Sequence, residues 1–178
     1  MNDTKNLTRL AALAIMIFAA AAMRFIPHPP NFAPILAIAL FGGAYFSNRA
    51  MAFAVPLAAM VIGDIFLGFH GAIWAVYLSF GAAVLLGRFV GSRKSILSVA
   101  GISVLASVIF FVVSNFGVWL GFGMYPLNFA GLGACYTAAI PFFKYTLAST
   151  LVYSGVLFGG FELLSRYVPA MRTKAIAA

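Results

Sequence analysis

Charge is what this sequence has least of: 8% of its 178 residues are charged, against roughly 25% in a soluble domain. With 64% of the chain hydrophobic, that scarcity excludes a water-soluble surface. Acidic residues number three, against 11 Lys and Arg, for a net charge of +8. The basic residues sit at the ends of apolar runs, so the excess is topological and no nucleic-acid partner is expected. One cysteine, Cys135, excludes an intrachain disulfide and a multi-cysteine metal cluster. Also missing are the Gly-x-x-x-x-Gly-Lys phosphate loop, His-Glu-x-x-His and Gly-x-Ser-x-Gly. The chain therefore reads as a binding protein and not as an enzyme, with no cofactor expected.

What is present is apolar sequence in six runs, at about 7–25, 33–47, 50–67, 72–90, 96–121 and 139–165. A span needs about 20 apolar residues, so the reading is an all-α integral membrane protein. Residues 1–178 form one transmembrane domain, a bundle of six helices surrounded by lipid. Breakers separate the runs: Pro27-His28-Pro29-Pro30, Ser47-Asn48-Arg49, Gly68 to Gly71, Gly91-Ser92-Arg93-Lys94, and a long loop from Phe122 to Thr137. One side receives Lys5, Arg9, Arg49, Arg88, Arg93, Lys94, Arg166, Arg172 and Lys174, and the other only Arg24 and Lys144. Cytoplasmic loops collect Lys and Arg, which puts both termini in the cytoplasm. A rival reading takes the first run, with Lys5 and Arg9 ahead of Leu10 to Ala22, as a cleaved signal peptide. Short echoes such as Asn31-Phe32-Ala33 with Asn128-Phe129-Ala130 share no repeat register with Leu40 to Gly43 and Leu157 to Gly160, so no inverted repeat is inferred.

Ionisable groups inside spans are costly unless paired or hydrated, which makes each a functional candidate. Asp64 lies about 14 residues into the third run, roughly 21 Å from its cytoplasmic start at 1.5 Å per residue. It reads either as an ion pair with Arg24 that ties two helices or as a ligand contact. Lys144, about one and a half turns into the sixth run, is expected to snorkel outward. His28 stands between prolines that force Ile26 to Pro30 into extended backbone, either as a surface residue or as a presented group. His70, beyond Gly68, could approach the same region. Two histidines, an aspartate and a cysteine on four segments are too scattered to assign a metal. Trp74, Tyr77, Trp119, Tyr125 and Tyr136, with Asn31, Asn115 and Asn128, gather towards the outer face and suggest either an aromatic belt or a lined pocket. Asn115 and Trp119, four apart, share a helix face. Ala50, Ala54 and Ala58 form a small-residue ridge, read as internal packing or a partner contact.

Arg24-Phe25-Ile26-Pro27-His28-Pro29-Pro30-Asn31-Phe32-Ala33-Pro34, Gly63-Asp64, Leu67-Gly68-Phe69-His70, Ser114 to Trp119 and Cys135-Tyr136 together resemble a family of small bacterial membrane proteins of uncharacterised function. That family is in turn similar to the six-helix S components of energy-coupling-factor vitamin transporters, including solitary cobalamin-binding ones. The resemblance implies uptake of a vitamin-type solute, cobalamin among the candidates, from the outer face. It implies action alone or with an ATPase and scaffold partner, and it puts His28 and Asp64 near the ligand. Two departures stand beside it: the first run lacks the Ala-x-x-x-Ala docking patch, and Cys135 is not where the cobalt-contacting cysteine of solitary binders falls. The expected ligand-binding set is Arg24, His28, Asn31, Asp64, His70, Tyr77, Asn115 and Trp119. Rival readings are a structural or assembly subunit and a small membrane enzyme.

Overall fold

Six α-helices follow one another in the computed structural model: α1 (Asn2–Ala22), α2 (Ile35–Tyr45), α3 (Arg49–Leu67), α4 (Ile73–Arg88), α5 (Ile96–Gly121) and α6 (Phe129–Tyr167). Short 3-10 turns cover Met23–Phe25 and Pro169–Arg172. The structure describes residues 2–90 and 95–172, and among them there is no strand. Arg93, Lys94 and Lys174 of the basic set, and the turn from Gly91, lie outside the described residues, as does the side chain of Lys5.

Among the described residues, four helices are long and apolar enough to cross a membrane, those at α1, α3, α5 and α6. The other two are shorter than the apolar runs predict. With 11 and 16 residues, α2 and α4 extend only ~16 and ~24 Å at 1.5 Å per residue. Pro34 stands at the start of α2, and Phe46 is already extended at its end. A helix that is apolar all round belongs in an interior, and nine residues of α2 are buried. It forms the axis of the bundle, with α1, α3, α4 and α6 packed against it.

Glycine sets the closest approaches. A Cβ on Gly43 would strike the Val84 carbonyl, and one on Gly87 would strike the Leu40 carbonyl, so the backbones of α2 and α4 touch. Gly42 in turn receives the ring of Pro56, which lies inside α3. Phe41 and Tyr45 of α2 interlock with Phe158 and Phe161 of α6, ring centroids 4.5 to 5.9 Å apart. Between α5 and α6 the buried Ser103 hydroxyl donates to Ser154 at 3.0 Å.

The largest departure from the sequence reading is α6, which begins at Phe129 and runs 39 residues. The loop expected from Phe122 to Thr137 is therefore confined to 122–128. Asn128 caps the helix, accepting from the Gly131 amide at 2.8 Å. Gly131, read as a breaker, is there because a Cβ would collide with the Pro126 carbonyl. Cys135 consequently sits on the helix, buried, and not in a loop. Lys144 stands some four turns into α6, exposed, and not one and a half. Ala50, Ala54 and Ala58 are all exposed, because α3 turns Ala52, Pro56, Ala59 and Met60 inward, so the ridge does no packing within the chain.

Candidate functional site

At the end of the bundle opposite the termini, α1 gives way to an extended strap at Ile26, whose φ and ψ are −84° and 136°. The strap turns at Pro29 to Phe32, where the Phe32 amide donates to the Pro29 carbonyl at 3.0 Å. Asn31 takes φ 64° at the third position of that turn, after a proline at the second. This is the requirement of a type II turn, met by Asn where Gly is commoner. The strap is fastened to α6 by Ser149, whose hydroxyl donates to the Asn31 carbonyl at 3.4 Å, and by Phe32 against Tyr153.

Beneath the strap, Asp64 is 3% exposed on the last turns of α3. Arg24 Nη2 donates to its Oδ1 at 2.5 Å, and the Tyr77 hydroxyl donates to Oδ2 at 2.6 Å. The Arg24 and Asp64 side chains are 10% and 5% exposed, so the pair is desolvated. Arg24 Nη1 reaches the Met60 carbonyl at 3.4 Å. Gly63 makes that reach possible, since a Cβ there would lie 2.6 Å from Nη1. Gly68 ends α3 with φ 93°, a conformation that excludes most other residues, and its amide donates to the Asp64 carbonyl.

A cavity of about 260 Å³ adjoins this cluster. Arg24, Asn31, Asp64, His70 and Asn115 of the expected residues line it, delivered by two helices and two connecting segments beyond α1. Asn115 uses its amide N–H on the Phe111 carbonyl at 2.7 Å, which leaves its side-chain oxygen for the cavity. His70 lies tilted beside Phe122, with 6.0 Å between ring centroids. Tyr77 takes part only through Asp64. His28 and Trp119 do not join the lining. His28 is exposed, with Nδ1 3.1 Å from the Pro29 carbonyl. The Trp119 indole instead donates to the Pro126 carbonyl at 2.9 Å and pins the turn before α6.

Of the outer aromatics, Trp74, Tyr125 and Tyr136 also stay off the lining; Phe110 and Phe111 supply the aromatic wall, with Ser114 and Thr146 as further polar groups. The spacing 111, 115, 118 on α5 carries the signal for them, since it marks one helix face. Cys135 Sγ rests 3.5 Å from the Asn115 carbonyl behind that wall. Among the described residues no group of three His, Cys, Asp or Glu is placed to hold a metal.

The family of unknown function DUF6580 matches residues 4–171, nearly the whole chain. The chain belongs to that family. No curated protein and no solved structure matches it. The strap, the Arg24–Asp64–Tyr77 cluster and the cavity all fall within the span that this DUF6580 family covers, while the likeness to S components has no support among these comparisons.

Proposed function

We propose that this DUF6580 protein is a multi-pass protein of the bacterial cytoplasmic membrane that binds a small solute from the outer face for uptake. The observation that carries the reading is the convergence of Arg24, Asn31, Asp64, His70 and Asn115, from four separate stretches of chain, on one cavity. Asp64 is neutralised by Arg24, so the lining has no net charge to offer from this pair. Amide, imidazole and hydroxyl groups on the same lining as Phe110 and Phe111 suit a largely uncharged molecule with several hydrogen-bonding groups and some apolar surface. The 260 Å³ volume is just below the ~300–1,000 Å³ usual for ligand pockets. A corrinoid with its nucleotide tail is far larger, so we do not carry cobalamin forward. No nucleotide-binding motif accompanies the site, so any ATP-driven step would fall to an S-component-like partnership with a separate ATPase.

A structural or assembly role remains the second reading, favoured by the full satisfaction of the Asp64 carboxylate within the chain. One experiment separates the two. Protein purified from cells is denatured and its released small molecules are identified by mass spectrometry, beside an Asn115→Leu variant of equal melting temperature. A solute retained near one per chain and lost from the variant supports uptake binding. No retained solute, or equal retention in both, overturns it in favour of the structural role.

A further inference from the structure

The opposite end of the bundle holds a second cavity, of about 350 Å³, where the end of α2 meets α1 and α4. Arg9, Tyr45, Ser47 and Arg88 are on its lining, and among the described residues no carboxylate is. Arg9 is 9% exposed. Its Nη2 donates to the Tyr45 carbonyl at 3.1 Å, while buried Nε and Nη1 have no partner among the described residues. Its guanidinium also lies 5.8 Å from the Phe161 ring centre. Among the described residues Arg9 makes no ion pair; Glu162 on α6 opens on a different groove, between α5 and α6, beside Arg166.

An arginine cannot shed its proton to ease burial, and burying an ion without a counter-charge is strongly unfavourable. The carbonyls at the end of α2 offset only part of this, since a helix C-terminus presents a partial charge and not a full counter-ion. Capping alone therefore leaves Arg9 short of a counter-charge. Arg88 adds a second cation to the same cavity, brought there because Gly43 and Gly87 let α2 and α4 touch. Two guanidiniums at one cavity repel unless an anion lies with them. Their flat forks match the oxygens of a phosphate, which takes paired N–H donors and a hydroxyl such as that of Ser47.

We propose that this cavity is a phosphate site, clamped by Arg9 and Arg88, whose occupant is either an anionic phospholipid headgroup or a small soluble phosphate ester. The test uses the full chain, stripped of lipid in a neutral detergent, with Arg88→Gln and Arg9→Lys variants. Arg88 is exposed, so its replacement should fold even if Arg9→Lys does not. Binding is followed by the shift in melting temperature as phosphatidylglycerol, phosphatidylcholine or inorganic phosphate is titrated. Saturable stabilisation by phosphatidylglycerol but not phosphatidylcholine, weakened roughly tenfold in Arg88→Gln, supports a lipid headgroup. Saturation by inorganic phosphate, with no preference between the two lipids and the same loss in the variant, supports a soluble phosphate ester. If no anion stabilises the protein, or if Arg88→Gln responds as the native chain does, the proposal fails and Arg9 is a helix cap alone.

Discussion

Asp64 is the residue on which most depends, because both its oxygens are engaged while only 3% of it is exposed. Asp64→Asn would strand the Arg24 cation, and breaking such a buried pair costs about 3–5 kcal/mol. Tyr77→Phe removes a single hydrogen bond to a charged group, worth about 1.5–3 kcal/mol. Thermal unfolding in detergent should therefore rank the native chain above Tyr77→Phe and both above Asp64→Asn; equal melting temperatures would contradict the geometry. Gly63→Ala should approach Asp64→Asn in effect, since the added methyl displaces Arg24 from its seat. The Arg24 pairing was legible in the sequence from depth alone, as one of two alternatives. Tyr77 as the third member was not, because which face α4 turns inward is decided by its glycine contact with α2. His28 misled for a local reason: the prolines do extend the strap, but the turn at Pro29 to Phe32 keeps the imidazole off the cavity and puts Asn31, itself exposed, on its lining.

Among the elements, α2 and α4 form the contact least able to absorb change. Gly43→Ala or Gly87→Ala puts a methyl into a backbone carbonyl, which no rotamer can relieve. Either should lower the melting temperature sharply, whereas Gly101→Ala, with open space around it on α5, should not. A similar loss in all three would mean that helix contact is not what the glycines serve. The number and order of helices could be read from apolar runs and breakers; the ends of α6 could not. A glycine that ends one helix is, in Gly131, the residue that lets another begin against Pro126, and only the packed turn distinguishes them. The lengthened helix predicts that Cys135 reacts with maleimide only after denaturation, since it is 2% exposed. Rapid labelling of folded protein would return it to a loop.

For the molecule as a whole, the asymmetry of charge makes an orientation testable on exposed positions at each end. Leu127→Cys, 67% exposed at the solute-cavity end, should be labelled on intact cells by a reagent that does not cross membranes. Tyr167→Cys, 79% exposed at the other end, should be labelled only after permeabilisation. The reverse pattern would place the cavity in the cytoplasm and defeat the uptake reading. The enclosure of α2 also bears on how such a chain is made. A ribosome delivers α2 early, yet its ~16 Å cannot cross a hydrocarbon core of about 30 Å. The strap ahead of it has no helix to satisfy its peptide groups in lipid. Its neighbours α4 and α6 are synthesised later, so order of synthesis and order of burial cannot be the same. On the proposed membrane insertion, a nascent chain halted after Leu67 should therefore fail to hold α2 in the membrane, which protease protection of the halted chain would check, and the centre of the bundle would be installed after its walls.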